Sequence, residues 1–368
     1  MKRTLKQIIA IALVVFIIVS QVFMSIAATL DIKATTKRIG SIPVNNESDD
    51  MVGMQGMCVT AVGSNNRLFV ARIDESKNIV KLYMYKDYTT MSNSSNDGYG
   101  VFTLEGLGGH ANGMAVDDNY IYITSWNKSK DTNKNKILQI SRRKLWSMYK
   151  ATNETEKGTI KAGDDGYTIL SSYYSDGSVY KDYIYSITYY KDGKFIINYY
   201  PNNSELFYSS STKTIYYTTA EVKNGKFVVS NSPSDVFCVD TGTIKPTGQD
   251  IGYGAKSGFF IVLWLGGAKN KIVWIRLNSL SGNNRAYTAT NSKYRHINLN
   301  MSEKVFSQYE LESVSIGSDY SLYGNVNTTL AKNADPKYDV FDSDGIIRIE
   351  RSVPVNNSTK FLGNNIDY

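Results

Sequence analysis

A strand-only unit recurs along this chain, and that recurrence limits the possible folds more than any other feature. Each unit has a small-residue strand, a polar turn, a strongly apolar strand, a polar loop and another alternating strand. The first reads Gln55-Gly56-Met57-Cys58-Val59, then LFVAR (68–72) and IVKLYMY (79–85). The second reads Asn112-Gly113-Met114-Ala115-Val116, then YIYITSW (120–126) and KILQISR (136–142). YSITYY, KFIINYYP and TIYYTTAEV (185–222) make a third; DIGYGA, GFFIVLWL and KIVWIRL (250–277) a fourth; ESVSIG, YSLYGNV and GIIRIER (312–351) a fifth. The starts at 55, 112, 185, 250 and 312 are separated by 57, 73, 65 and 62 residues. Sandwiches rarely repeat at such spacing, and a β-helix would repeat every ~20–30 residues. The expectation is an all-β chain forming a single β-propeller of five blades, with four and six as the neighbouring counts.

The two chain ends bear on how such a ring closes. Ser41-Ile42-Pro43-Val44-Asn45-Asn46 near the start matches Ser352-Val353-Pro354-Val355-Asn356-Asn357 near the end. A propeller must join its first and last blades or leave sheet edges open. Terminal strands that share a blade would close it, and two copies of one hexapeptide fit that arrangement; a chance match in an Asn- and Val-rich chain is the alternative. Beyond the first 27 residues no apolar period marks an amphipathic helix longer than about ten residues, and the best short candidate is Arg142 to Tyr149.

The N-terminus sets the compartment. Lys2, Arg3 and Lys6 precede the apolar run IIAIALVVFIIV (8–19), and Ser25-Ile26-Ala27 supplies small residues at a cleavage site. This pattern reads as a secretory signal over 1–27, leaving 28–368 as the propeller domain; an uncleaved anchor over 8–27 is the rival. The protein is therefore expected to be secreted or held at the cell surface, with membrane contact only through that segment. Its three basic residues lower the formal charge from +7 to +4 on removal. With so mild a charge outside the cytoplasm, no nucleic-acid partner is expected. Two cysteines and two histidines exclude a disulfide framework, a four-cysteine zinc site and a histidine-rich metal centre.

The unit start, carried by Gln55-Gly56-Met57 and Asn112-Gly113-Met114 with an apolar strand after each, resembles that of a group of secreted propellers. The group includes helveticin-J-like bacteriocin proteins and the propeller domains of teichoic-acid-associated and phage receptor-binding proteins. The likeness spans most of residues 50–350. It implies a bacterial, Gram-positive cell-surface role with wall glycopolymer as partner, and it transfers no catalytic residue set.

Aligned units place Gln55, Asn112, Tyr185, Asp250 and Glu312 at one position around the axis, followed by small residues such as Gly56, Gly113, Ser186 and Ser313. All five can hydrogen-bond, so a ring of them is the candidate ligand site; a ring that only binds ordered water is the bland alternative. His110, in Gly108-Gly109-His110-Ala111, lies on a flexible approach to the ring and is added to the ligand-binding set, against the plainer reading of a loop histidine bonded to a carbonyl. The abundance of tyrosine, 28 residues, suits sugar stacking as well as strand formation.

Three functions stay open. The leading expectation is binding of a cell-surface carbohydrate or wall polymer through the axial funnel, without catalysis and without cofactor. A glycoside hydrolase or lyase would use Asp250 and Glu312, which share the chemistry of a carboxylate pair. A structural or protein-binding propeller is the third. Calcium enters only through the acidic turns Asp117-Asp118-Asn119, Asp164-Asp165-Gly166 and Asp342-Ser343-Asp344-Gly345, none of which has the EF-hand pattern and all of which also read as hairpin turns. Cys58 and Cys238 lack a neighbouring histidine; Cys58 reads as a small core residue, and a bond between the two, which an oxidising compartment would allow, is not expected.

Overall fold

A computed structural model describes residues 31–41, 51–62, 65–74, 79–85, 87–88, 91, 99–106, 111–126, 135–200, 214–232, 235–240, 247–254, 258–264, 270–275, 287–288, 295–297, 303–307, 310–317, 322–327 and 345–351. Residues 1–27, His110, both hexapeptides apart from Ser41, and residues 342–344 of the third acidic turn lie outside them.

The protein is all-β. β1 (Asp31–Ser41) comes first and is used last. β2 (Met51–Val62), β3 (Asn65–Asp74), β4 (Ile79–Tyr85) and β5 (Tyr99–Glu105) form an antiparallel meander. A second meander runs through β6 (Met114–Val116), β7 (Tyr120–Trp126) and β8 (Asn135–Ser141). The chain then leaves through α1 (Arg142–Ala151) and β9 (Glu156–Ile160), and β10 (Tyr167–Tyr174) returns to pair with β8. The third meander is β11 (Tyr183–Lys191), β12 (Lys194–Tyr200) and β13 (Thr214–Lys223), with β14 (Lys226–Val229) and β15 (Phe237–Asp240) pairing to opposite halves of β13. The fourth is β16 (Thr247–Gly254), β17 (Gly258–Trp264) and β18 (Asn270–Ile275); after the short β19 (Tyr287–Thr288) and β20 (Arg295–Ile297), β21 (Glu303–Ser307) completes it. β22 (Glu310–Ile316), β23 (Leu322–Asn327) and β24 (Gly345–Arg351) form the fifth, and β1 joins it antiparallel to β24, from Ala34↔Arg351 to Ser41↔Gly345.

Parallel pairs fuse these meanders into larger sheets. β10 with β14 joins the second and third, and β21 with β1 joins the fourth and fifth. β9 pairs parallel to β5, so the excursion after the second meander strengthens the first. The first strands of all five meanders are neighbours in a closed cycle, β2–β6–β11–β16–β22 and back to β2. The fused fourth and fifth meanders thus curl until their outer strands β16 and β22 touch, and the sheet is nearly closed.

Cores lie between successive meanders. Phe69, Leu82, Ile121 and Leu138 fill the space between the first and second, and Ile187, Phe195 and Ile197 meet Tyr122 between the second and third. Ile196, Tyr217 and Phe237 meet Ile251 and Phe259 between the third and fourth; Leu68 and Val70 meet Tyr323 and Ile346 where the fifth returns to the first. Ile196 and Ile197 therefore enter different cores, as the two-residue period of a strand requires. Each middle strand is covered on both faces, which is why it reads as a near-continuous apolar run such as FFIVL.

Candidate functional site: the ring of first strands

A β-bulge opens nearly every first strand at the same place. The pairing slips by one residue between Ile184 and Ser186 in β11, between Gly248 and Asp250 in β16, and between Leu311 and Ser313 in β22. β2 slips twice, between Met51 and Met54 and again between Met54 and Met57, the second at Gln55-Gly56. Asn112 precedes β6 in the corresponding place, because Gly113 after it accepts from Thr124 N of β7 at 2.9 Å and donates its own N–H to Thr124 Oγ1 at 2.9 Å. A bulge re-aims a side chain and is favoured beside functional sites.

This register corrects the alignment of the fourth unit. The residues at the bulge are Gln55, Asn112, Tyr185, Gln249 and Glu312, and those after it are Gly56, Gly113, Ser186, Asp250 and Ser313. Asp250 thus shares a position with Ser186 and Ser313, not with Glu312. In a strand, one residue of slip turns a side chain to the other face. Tyr185 and Glu312 stay level with Gln55 and Asn112, while Asp250 turns toward the neighbouring strand.

The bulge position is where the ring is polar and slightly open. Gln55, Asn112, Tyr185 and Glu312 keep 7%, 6%, 9% and 7% of their surface, against 0% for Ser186 and Ser313. Asn112 Nδ2 donates to Gln55 Oε1 at 3.0 Å, joining the first two positions of the ring. The backbone carbonyls there are also held from the meander before: Asn325 Nδ2 donates to Gln55 O at 2.9 Å and Thr124 Oγ1 to Tyr185 O at 3.1 Å. Tyr185 is braced edge-on by Tyr200, with ring centroids 5.7 Å apart.

The position after the bulge is where the first strands touch. A Cβ on Gly113 would lie 2.5 Å from Ser186 Cα, and one on Gly56 would lie 2.7 Å from Ala111 O. No side chain larger than hydrogen fits at those two crossings. Where the crossing is wider, polar side chains tie one strand to the next. Ser313 Oγ accepts from Met57 N at 3.1 Å and donates to Asp250 Oδ2, which also accepts from Val314 N at 2.9 Å.

Asp250 is the ionisable member of this inner layer. Burial pushes its carboxyl up to about 7, with the Ser313 hydroxyl, the Val314 and Ile251 amides and the nearby Ser186 hydroxyl pulling partway back. Its Oδ1 has no hydrogen-bond partner, and neither do Ser186 Oγ, Asn198 Oδ1, Tyr217 Oη, Asn112 Oδ1 and Asn325 Oδ1. Each such buried atom costs about 1–3 kcal/mol relative to a bonded one.

The remaining candidates distribute as follows. In the Asp117 turn, Oδ1 accepts from Asn119 N and Tyr120 N at 2.8 and 2.7 Å, and Oδ2 from the Tyr122 hydroxyl at 2.7 Å. Those lone pairs hold the β6–β7 turn itself. Asp164 Oδ2 likewise accepts from Lys161 N at 2.8 Å. Cys58 and Cys238 are buried and not joined in a disulfide, and burial raises the Cys58 thiol far above neutrality. Seven described tyrosines serve the cores: Tyr83, Tyr85, Tyr88, Tyr122, Tyr167, Tyr217 and Tyr323 are each 3% exposed or less.

Sequence reasoning did not single out Asn198, Tyr217 or Asn325, which lie on middle or third strands. The polar residue at equivalent places in YIYIT, KFIIN and SLYGN was the available signal: Thr124, Asn198 and Asn325 face Gly113, Ser186 and Ser313 across their strand pairs. It also did not find Arg67, which is wholly buried against the ring of Trp146 at 4.3 Å with no hydrogen-bond partner for any guanidinium nitrogen. No protein-family model and no curated protein matches this chain.

Proposed function

We propose that this chain is an exported, single-domain five-bladed β-propeller that binds a cell-surface carbohydrate or wall glycopolymer at the mouth of its central ring. The observation that carries the reading is the repeated bulge, which brings the Gln55 amide, the Tyr185 phenol and the Glu312 carboxylate to one level of a closed five-strand cycle, with the Asn112 amide bonded to Gln55 beside them. Donors and acceptors are mixed there, with an aromatic ring beside them, and that set suits a polyhydroxylated ligand more than an apolar or strongly anionic one. The four cores between successive meanders, the closed cycle of five first strands and the use of β1 to complete the fifth meander support the blade count. Export rests on the N-terminal basic and apolar pattern.

Hydrolysis by Asp250 with Glu312 gains little support. A general acid must reach the leaving oxygen, whereas Asp250 is 2% exposed and commits Oδ2 to Ser313 and Val314. The experiment is a binding screen of the purified protein against purified wall polymers and oligosaccharides, with turnover measured on any ligand found. Saturable binding that weakens about tenfold or more in Asn112→Ala and Glu312→Gln is the expected outcome. Absence of binding to every polymer would overturn the reading, and turnover abolished by Glu312→Gln would replace it with the enzyme.

A further inference from the structure

The core between the third and fourth meanders is apolar except along one line. Ser186, Asn198 and Tyr217 are direct partners across β11, β12 and β13. Direct partners project from the same face, with Cβ atoms ~4.5–5.5 Å apart. That face is the one packed on the fourth meander, since Tyr217 and Ile196, two residues from Asn198, share a core with Ile251 and Phe259. From the opposite side comes Asp250 on β16, which lies against both β11 and β12. Ser186 is close enough to act on the Asp250 carboxyl, and the Asp250 charge reaches the Tyr217 hydroxyl.

All four are buried, at 0%, 1%, 0% and 2% exposure for Ser186, Asn198, Tyr217 and Asp250. Each also leaves one oxygen without a partner in the chain. Asn198 spends its Nδ2 on Tyr216 O at 3.1 Å and keeps Oδ1 bare; Asp250 spends Oδ2 on the fifth meander and keeps Oδ1 bare; the Ser186 and Tyr217 hydroxyls bond to nothing. Asn198 Oδ1 is an acceptor always and Asp250 Oδ1 is purely an acceptor once ionised, and the two hydroxyls can turn their lone pairs inward as well. An anion would be repelled by such a set. Oxygen donors alone, without thiolate or imidazole, are the ligands of hard cations.

We propose that the seam between the third and fourth meanders is a binding site for a hard cation, held by Asp250 Oδ1, Asn198 Oδ1 and Ser186 Oγ with the Tyr217 hydroxyl beside them. The site is separate from the bulge ring and from the acidic turns, and it stands whether or not the ring binds a glycan. A single carboxylate neutralises one charge, so sodium and calcium are both within the chemistry. The cation would tie two meanders that otherwise meet through apolar contacts, and would stiffen the ring immediately behind Tyr185.

The test uses the whole protein, stripped with a chelator and dialysed into choline chloride. Its unfolding midpoint is followed as CaCl2, MgCl2 or NaCl replaces choline at constant ionic strength. A cation bound only by the folded state raises the midpoint as its concentration exceeds Kd, by about 4 °C at a hundredfold excess for a chain of this size. The expected result is a saturable rise with calcium or with sodium, the responding ion naming the class, and at least tenfold weaker apparent affinity in Asp250→Asn and in Ser186→Ala. The proposal is overturned if none of the three salts moves the midpoint beyond the choline control, or if the rise is unchanged in a folded Asp250→Asn protein. Should Asp250→Asn not fold, Ser186→Ala and Tyr217→Phe decide: a folded variant of both with an undiminished cation response is equally fatal.

Discussion

Hydrogen atoms set the closeness of the ring at two residues. Gly113→Ala forces a methyl to within 2.5 Å of the Ser186 backbone, where nothing flexible can give way. It should cost about 3 kcal/mol. At Gly252 the same methyl meets a Val314 methyl at 3.3 Å, and the cost should be about 1 kcal/mol. Chemical denaturation of the two variants beside the parent protein checks the order. Asp250 gives a second prediction. Its carboxyl titrates near 7 when folded and near ~4 when unfolded, so between those values the folded state binds more protons and stability falls as pH rises. Below about 4 the penalty is absent; above about 7 it is complete, at most about 4 kcal/mol. In chelator, the melting temperature of the parent should therefore fall more between pH 5 and pH 8 than that of Asp250→Asn. Equal pH profiles would show that Asp250 ionises without hindrance. The small residues at the crossing were legible in the repeat, but the setting of Asp250 was not, because matching the fourth unit at Asp250 hides the bulge that assigns its place to Gln249.

Elements explain the uneven spacing of the units. The second interval is the longest because α1 and β9 are inserted between β8 and β10. Ser141 caps α1, accepting from Lys144 N at 3.3 Å, and Leu145 is fully buried in the core shared by the first two meanders. Trp146 and Tyr149 stack at 5.6 Å and 9°, with Arg67 beneath Trp146 and Lys157 Nζ 4.5 Å from the Tyr149 ring. Burial lowers the Arg67 pKa, since its charge has aromatic faces near it but no acceptor. Replacing such a group with a similar apolar volume removes a desolvation cost. Arg67→Met should leave the protein as stable or more stable by about 1 kcal/mol, whereas Trp146→Ala should lose about 3 kcal/mol by uncovering the guanidinium. Thermal melts of both variants decide whether α1 is docked by that charge or merely over it. The helix itself was readable as a short apolar period from Arg142; its partner on β3 was not, because 75 residues separate Arg67 from Arg142 in the chain.

For the whole molecule, closure depends on the N-terminal strand. β1 pairs antiparallel with β24 and parallel with β21, so the first described strand seals the last meander and joins it to the fourth. Removing residues 31–41 would expose two long edges at once. The truncated protein should lose its cooperative unfolding transition or aggregate, and a synthetic 31–41 peptide added in trans should restore part of it. Size-exclusion chromatography and thermal melts read both effects, and an unaltered melt after truncation would mean that β1 contributes little. The sequence by itself determined that the chain is all-β and that it is built from repeated strand units with a strongly apolar middle strand, because alternation and apolar runs are local properties of a strand. It also marked the level of the ring where Gln55, Asn112, Tyr185 and Glu312 stand. Only the tertiary structure decided that Asp250 turns into a seam beside Ser186, Asn198 and Tyr217, that Arg67 lies under Trp146, and that β1 closes on β24. Each of those depends on which strand lies against which, and on a one-residue bulge that changes a side chain's face without changing the pattern of residues around it.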